Sequence, residues 1–462
     1  MNRPNVIYVF SDQHRMQACG FRGDPNVSTP NLDRLAGAGV ECTMAVSGMP
    51  VCCPYRASLL TGQYPHHHGV FLNDLCLMTG APTMAELFKA AGYETAYIGK
   101  WHLDGHGRSH PVPRSRRHGF DFWRVMECTH DYNNSFYYNE SDEKQCWDGY
   151  DAAAQTDAAI AYIQSRNCSK AADVPFLLVL SWGPPHDPYG SAPEAFRNRY
   201  DAHKLILRDN VPAYQSAVAR EELAGYYAHV SALDAQLGRL MDALHHMSLW
   251  EDTIFVYTSD HGDMLRSQGV CKKQKPWEEA IRIPFLLSWP RRFGSRPVKV
   301  SWPLNTPDIL PTLLTLCGID VPATVDGRSL ARHMMSAASL SEPPLEAEGV
   351  DDFHPSALLQ CIAPNGEWHK FNGGRPYRGI RTRRYTYVKD LSGPWLLYDN
   401  ISDPFQLVNL LEDDSFDAGI ANRLEQELEC MLAMAGDAMA PAGEYVKKWG
   451  HEVDFLGTHL YE

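Results

Sequence analysis

The 462-residue sequence predicts an α/β protein, with a mostly parallel central sheet flanked by helices and a smaller C-terminal α+β subdomain that contains an antiparallel sheet. Three observations lead to this prediction. Short apolar runs alternate with segments of helical periodicity, which is typical of parallel strands joined by helices. The chain exceeds the roughly 250–300 residues that one hydrophobic core supports, so a second unit is expected. Beyond about residue 370, the pattern becomes that of an antiparallel hairpin.

Local patterns in the sequence predict the individual strands and helices. Apolar runs rich in β-branched and aromatic residues predict buried parallel strands at residues 5–10, 94–98, 176–182 and 253–258. Apolar side chains spaced three and four residues apart predict a long amphipathic helix over residues 221–246. Thr-Pro pairs at 29–30 and 306–307 predict two further helix starts, because proline suits the first helical position.

The last part of the chain has a different character. Residues 385–388 and 395–398 predict an antiparallel hairpin, residues 421–433 a closing helix, and the Ser- and Pro-rich stretch 336–344 a surface loop. We therefore divide the chain into an α/β domain over residues 1–370 and a C-terminal antiparallel-sheet subdomain with a closing helix over residues 371–462.

The composition disfavours several classes of function. A formal net charge of −14 argues against nucleic acid as a partner. No apolar stretch approaches the roughly 18 residues of a membrane helix, so no membrane association is expected. As written, the sequence shows no signal peptide and predicts a cytoplasmic protein, whereas a trimmed precursor would be secreted or periplasmic. The 12 cysteines lack paired spacing, which predicts buried thiols rather than a disulfide framework.

Two pairs of polar residues directly follow predicted strands. Asp12 and Gln13 follow the first strand, and Asp260 and His261 follow the strand at 253–258. Ligands gather at the carboxyl ends of parallel strands, so the two pairs are expected to meet there. Two carboxylates, an amide oxygen and an imidazole suit a divalent cation. Either pair taken alone favours a plain turn.

The most specific pattern lies between these pairs. Cys52-Cys53-Pro54-Tyr55-Arg56 follows C-x-P-x-R and continues into a helix-like segment that ends at Gly62. Here the sequence resembles the type I, formylglycine-dependent sulfatases of the alkaline phosphatase superfamily. The resemblance implies an alkaline phosphatase-like fold. It also implies that a formylglycine-generating maturation enzyme oxidises Cys52 to an aldehyde, whose hydrate attacks sulfur.

The resemblance covers most of the chain. Gly99-Lys100-Trp101-His102 matches the family's G-K-x-H, and Pro185-His186-Asp187-Pro188-Tyr189 matches its P-H-x-P-Y. Lys273, four residues before Trp277-Glu278, matches the family's lysine, although Lys272 and Lys275 leave that register open. The implied metal ligands are Asp12, Gln13, Cys52, Asp260 and His261, and the implied catalytic residues are Cys52, Arg56, Lys100, His102, His186 and Lys273. The implied metal is Ca²⁺, with Mg²⁺ or Mn²⁺ as alternatives.

These residues predict a sulfuric ester hydrolase. The cation and the charges of Arg56, Lys100 and Lys273 would stabilise negative charge in the transition state. His186 would protonate the departing alcohol, and His102 would hold the hydrate and assist the breakdown of the covalent sulfate. The breadth of the family implies a sulfated sugar or oligosaccharide as the substrate.

Two alternatives stay open on the sequence alone. Gln13 stands where many sulfatases have a second Asp, and a set with Gln and His is familiar from phosphonate monoester hydrolases. A phosphonate monoester or phosphodiester hydrolase using the same site is therefore the first alternative. The second is a non-catalytic carbohydrate-binding relative, against which the intact set of site residues argues.

Overall fold

The structure is a computed structural model that describes residues 3–168, 173–339 and 355–461. Within them, the strands are β1 Asn5–Asp12, β2 Val40–Cys42, β3 Ala45–Val46, β4 Glu94–Lys100, β5 Phe122–Met126, β6 Phe136–Tyr138, β7 Lys144–Cys146, β8 Phe176–Pro185, β9 Thr253–Ser259, β10 Phe285–Ser288, β11 Val298–Val300, β12 Leu304–Asn305, β13 Ala357–Cys361, β14 Tyr377–Arg381, β15 Tyr385–Asp390 and β16 Gly393–Asp399. The α-helices are α1 Pro30–Gly37, α2 Cys52–Thr61, α3 Pro65–His68, α4 Met84–Ala90, α5 Asp151–Asn167, α6 Glu194–Arg197, α7 Ser216–His246, α8 Glu278–Ile281, α9 Pro290–Phe293, α10 Thr306–Leu316, α11 Ala331–Ser339, α12 Ala418–Met434 and α13 Ala442–Trp449.

Ten of the described strands form one large sheet, in the order β11-β2-β10-β9-β1-β8-β4-β5-β6-β7. The five neighbouring strands β9, β1, β8, β4 and β5 are parallel. Antiparallel strands adjoin them on both sides, β10 beside β9 and β6 beside β5. The predicted parallel sheet is therefore confirmed at its centre, where the predicted strands lie, and its margins are mixed.

Alternate side chains of the central strands build one hydrophobic core on each face of the sheet. On β1, Val6, Tyr8 and Phe10 belong to one core, and Ile7 and Val9 belong to the other. Helices α2, α4, α10 and α11 contribute to the first core, and α1, α5 and α7 contribute to the second. Because helices cover both faces, the central strands are buried on both sides and mainly apolar in their middle.

Strands β13 to β16 form a separate antiparallel sheet. Helix α12 packs on it through Leu424, Leu428 and Leu432, which share a core with Tyr387 and Leu397. The hairpin and the closing helix predicted for this region are present. Strand β13 precedes position 370, and the division of the chain into two domains at that position stays a prediction.

The stretch 336–344, predicted as a surface loop, differs in part from the structure. Residues 336–339 complete helix α11, whose Ala331 and Met334 are buried in the first core. Residues 340–344 lie outside the described part of the chain. In the described residues, no helix combines the length and the apolar character that a membrane span requires.

A buried cluster of charges joins the small sheet to helix α8. Glu278, the first residue of α8, accepts hydrogen bonds from Arg381 of β14 at 2.7 and 3.1 Å and from Arg282 at 3.0 Å. Burial acts to raise the pKa of Glu278, but the two guanidinium groups outweigh it and lower the pKa to about 2. The carboxylate is therefore charged at neutral pH and is shared by both arginines.

Replacing Glu278 with Gln should destabilise the fold strongly, because it leaves two buried guanidinium groups without a carboxylate. We expect the free energy of unfolding, measured by urea denaturation at pH 7, to fall by about 3–5 kcal/mol. The folded-state pKa lies below the usual value of 4.5. The difference between wild type and variant should therefore be constant above about pH 5 and shrink as the pH falls toward 2.

The matched control is Asp242→Asn, which removes an exposed ion pair with Arg34. This pair should be worth less than about 1 kcal/mol. Equal losses of stability in the two variants would contradict the role given to Glu278.

Candidate active site

Four of the five predicted metal ligands, all except Cys52, lie at the ends of the neighbouring strands β1 and β9. These strands run parallel, in a register that ends with Ser11 beside Ser259. The residues that follow are therefore neighbours, and the backbone N–H of Gln13 donates to Oδ1 of Asp260 at 2.9 Å. Gln13 has a φ of +75°, a conformation that is costly for a residue with a side chain and that clusters at functional sites.

Cys52 opens helix α2 beside these strand ends. Its Sγ lies 3.4 Å from Nε2 of His261 and 3.7 Å from Oδ1 of Asp12. The candidate ligand atoms of Asp12, Cys52, Asp260 and His261 lie within 4.8 Å of one another, and all four residues are buried. The helix N-terminus carries partial positive charge, which favours an anionic group at this position. At the other end of α2, Gly62 has a φ of +68°, which suits glycine.

Three buried cations surround the thiol. Nζ of Lys273 donates to Sγ of Cys52 at 3.0 Å, and Nζ of Lys100 donates to Oδ2 of Asp12 at 2.6 Å. Arg56, one turn further along α2, donates to the same Oδ2 at 3.3 Å. Three positive charges thus face the two strand-end carboxylates, and the excess suits an anionic substrate.

These charges change the acidity of the buried groups. Burial acts to raise the pKa of Asp12, but nearby positive charge, led by Lys100, outweighs it and holds the pKa well below its usual range. Burial and Asp12 likewise act to raise the pKa of the Cys52 thiol, and Lys100 and the other neighbouring cations lower it well below its usual range. In contrast, burial raises the pKa of the core thiol of Cys42. The surroundings of Cys52 therefore favour its ionised form and are typical of a reactive cysteine.

The residues at the strand ends fit a divalent cation. Oε1 of Gln13 and Oδ2 of Asp260 are buried without a hydrogen-bond partner, which is rare in folded proteins. The Gln13 amide is oriented by its Nε2, which donates to Asp263 at 2.8 Å. Nδ1 of His261 donates to the carbonyl of Gly262 at 2.9 Å, so Nε2 keeps its lone pair for a metal. Oxygen donors suit Ca²⁺ and Mg²⁺, and an added imidazole also suits Mn²⁺.

Two histidines follow central strands as well, His186 after β8 and His102 after β4. Nε2 of His186 accepts a hydrogen bond from Nζ of Lys273 at 3.0 Å, and its Nδ1 lies 3.1 Å from Oδ1 of Asp187. The ring of His130 stacks on that of His186, with the centroids 4.5 Å apart. Lys273 therefore connects Cys52 with His186, the predicted acid.

Comparison with known proteins gives the family. The family profile described as Sulfatase matches residues 4–319. The chain belongs to the sulfatase family. An ulvan-active sulfatase of Formosa agariphila is 44% identical over 455 residues, which cover 97% of this chain and 85% of that protein. An endo-4-O-sulfatase of Bacteroides thetaiotaomicron is 30% identical, covering 94% of this chain and 92% of that protein.

A solved structure shows that the fold of this protein is also that of a sulfatase. A 4S-sulf protein, described in work on glycosaminoglycan metabolism by Bacteroides thetaiotaomicron, superposes with a TM-score of 0.82 at 30% identity. The match covers 96% of this chain and 98% of that chain. The predicted sulfatase fold and family are thereby confirmed, and the protein is a sulfuric ester hydrolase.

The structure gathers the predicted site residues of the sulfatase at one edge of the sheet, while their individual roles stay predictions. Two residues close to His102, Asp74 and Arg108, are not among the site residues predicted from the sequence. Oδ1 of Asp74 accepts a hydrogen bond from Nε2 of His102 at 2.7 Å, and Arg108 donates to both carboxylate oxygens at 2.8 and 2.7 Å. No motif signals them, because 28 and 34 residues separate Asp74 from these partners along the chain.

Replacing Lys273 with Gln should lower kcat/KM of the matured sulfatase for 4-nitrophenyl sulfate by about 10²- to 10³-fold. The physical reason is the loss of one fixed positive charge beside the reacting group. Lys272 offers a matched control, because its side chain is 34% exposed and pairs with Asp187 at 3.3 Å. Lys272→Gln should change kcat/KM by less than about threefold. A larger loss in Lys272→Gln than in Lys273→Gln would overturn the choice of lysine.

Proposed function

We propose that this sulfatase cleaves the sulfate ester of a sulfated sugar or oligosaccharide, through a hydrated formylglycine made from Cys52 and with Ca²⁺ as the divalent metal. The observation that carries the proposal is the position of Cys52, at the start of α2 between two acidic strand ends and the buried cations. A cysteine that only packs in a core does not need these charges. A group that attacks a sulfate anion does.

One set of site residues would hold the metal, and another would bind the sulfate. The residues that would hold the metal are Asp12, Gln13, Asp260 and His261, together with residue 52. When bound, the metal supplies positive charge that neutralises the sulfate and favours the ionised form of the attacking hydroxyl. Arg56 keeps the carboxylates in place, lying 3.3 Å from Asp12 and 3.5 Å from Asp260. Lys100 and Lys273 are placed to receive sulfate oxygens.

The proposed reaction is a transfer of the sulfate group followed by an elimination. One hydroxyl of the hydrate attacks sulfur, the bond from sulfur to the ester oxygen breaks, and the departing alkoxide takes a proton from His186. In the structure Nε2 of His186 accepts a hydrogen bond from Lys273, so His186 must first take up a proton from solvent, which it then gives to the alkoxide.

The second hydroxyl then loses its proton and its oxygen becomes the aldehyde oxygen again. Sulfate leaves with the electron pair of the C–O bond. A serine at position 52 has no second hydroxyl, so release of its sulfate would need attack by water.

The substrate class rests on the relatives. The names of the two similar proteins, an ulvan-active sulfatase and an endo-4-O-sulfatase, support a sulfated polysaccharide or a fragment of one. The excess of positive charge at the site is consistent with such an anionic chain.

Position 52 provides a direct test of the nucleophile. Protein matured with a formylglycine-generating enzyme should carry an aldehyde, seen in the mass of the tryptic peptide, and should hydrolyse 4-nitrophenyl sulfate. Protein that keeps the Cys52 thiol should be nearly inactive. Cys52→Ser should release one equivalent of nitrophenol and then stop, because its sulfate ester stays attached. The control is Cys317→Ala, which removes a different buried thiol and should keep full turnover. Repeated turnover by the thiol form would contradict the proposal.

A second candidate is a phosphonate monoester or phosphodiester hydrolase, favoured by Gln13 and His261 in the metal set. On matured protein, we expect kcat/KM for 4-nitrophenyl sulfate to exceed that for a phenylphosphonate ester. Both rates should fall to the uncatalysed background in Cys52→Ala. A higher phosphonate rate would reverse the ranking of the two functions.

A further inference from the structure

A buried carboxylate outside the sulfatase motifs supports His102. Asp74 is 6% exposed, and its Oδ1 accepts a hydrogen bond from Nε2 of His102 at 2.7 Å. Arg108 donates Nε to Oδ1 and Nη2 to Oδ2 of the same carboxylate. Burial acts to raise the pKa of Asp74, but the hydrogen bonds from His102 and Arg108 hold it well below its usual range. An ionised Asp74 therefore links Arg108 to His102.

The carboxylate determines which ring nitrogen of His102 is left without a hydrogen bond. An ionised carboxylate only accepts hydrogen bonds, so Nε2 of His102 carries a proton. The other ring nitrogen, Nδ1, is buried and has no hydrogen-bond partner. Because Nε2 is committed to Asp74, Nδ1 is the ring nitrogen left for a proton transfer.

The backbone of both partners is held in a conformation that side chains rarely adopt. The φ angle is +67° at Asp74 and +61° at His102. Cys53, the neighbour of Cys52, bridges them: its Sγ donates to the carbonyl of His102 at 2.8 Å and accepts from the N–H of Asp74 at 3.2 Å. Such conformations persist where the surroundings impose a geometry, often at active sites. The Asp74–His102 pair is thus fixed to the start of α2.

We propose that Asp74 is a positioning residue of the sulfatase reaction, which with Arg108 orients His102 so that Nδ1 faces the hydrate at position 52. The inference rests on the proposed function. In the elimination, Nδ1 takes the proton of the free hydroxyl as its oxygen becomes the aldehyde oxygen, and sulfate departs with the electron pair of the C–O bond. Asp74 stabilises the imidazolium that forms, as a carboxylate behind a catalytic histidine does in hydrolase triads.

Two substitutions remove the carboxylate of Asp74. Asp74→Ala removes the acceptor and should lower kcat by about 10²- to 10⁴-fold, the range seen when a histidine loses its orienting carboxylate. KM should change far less, because the cations that receive the sulfate stay in place. Asp74→Asn keeps the size of the side chain without its charge, and should also lower kcat by up to about 10⁴-fold, because its N–H₂ can face Nε2 and favour the wrong tautomer of His102.

The matched control is Asp437→Ala. This carboxylate is 7% exposed, similar to Asp74, and accepts hydrogen bonds from Arg378 and Tyr445 away from the site. Its loss should lower the thermal stability about as much as Asp74→Ala, while the folded protein keeps the kcat of the wild type. A general loss of stability would affect both variants alike, whereas a positioning role affects kcat only at Asp74.

Two further measurements test whether Asp74 acts through His102. In a His102→Ala background, Asp74→Ala should have no further effect on kcat, because the group that it orients is gone. NMR of the ¹⁵N-labelled thiol form provides a readout that needs no turnover. The hydrogen-bonded Nε2 proton of His102 should exchange slowly with water, disappear from the spectrum in Asp74→Ala, and persist in Asp437→Ala.

The outcomes distinguish this inference from the function on which it rests. Wild-type kcat in Asp74→Ala, independent losses in the double variant, or an unchanged Nε2 proton signal would each overturn the inference and leave the proposed function intact. Absence of sulfate ester turnover in the matured wild type would overturn the proposed function, and the inference with it.

Discussion

The site depends on the pairing of β1 with β9. One register, with Ser11 beside Ser259, brings two acidic strand ends together, and a slip of one residue would turn their side chains to opposite faces of the sheet. Carboxylates buried in this way cost several kcal/mol each unless opposite charge compensates them. Lys100 and Arg56 provide that charge in contact with Asp12. The same groups that make the folded site stable therefore also give it the charge that an anionic substrate needs.

Rigid elements fix each of these groups. The strand order β9-β1-β8-β4 places four carboxyl ends in a row, and α2 directs its N-terminus and Cys52 toward them. Strands β4 and β8 approach closely, since a Cβ at Gly99 would lie 2.0 Å from the carbonyl oxygen of Ser181. Arg56 spans this close contact, donating to the carbonyl of Lys100 at 2.6 Å and to Oγ of Ser181 at 2.8 Å. A metal and a sulfate would thus enter a site whose geometry exists before they bind.

The parts of the structure that carry a local pattern could be predicted from the sequence. Long apolar runs predict the central strands, and the C-x-P-x-R motif indicates the start of α2. The marginal strands β2, β10 and β11 have only three or four residues, too few to show a period. Among the lysines at positions 272, 273 and 275, the spacing favours Lys273, but only contacts in the fold distinguish it. Nζ of Lys273 donates to Sγ of Cys52, whereas Lys275, which is equally buried, donates to backbone carbonyls. The Lys272 side chain is 34% exposed. Asp74 is a common residue type without a motif, and only the fold brings it to His102.

We infer that the ends of β1 and β9 hold a cation beside residue 52. The most direct measurement is an anomalous difference map from crystals soaked in Mn²⁺, recorded near its absorption edge. We expect one strong peak bounded by the carboxylates of Asp12 and Asp260, Oε1 of Gln13 and Nε2 of His261. Its distances to these atoms should be about 2.0–2.6 Å. Manganese bound elsewhere, with no peak among these four side chains, would contradict the claim.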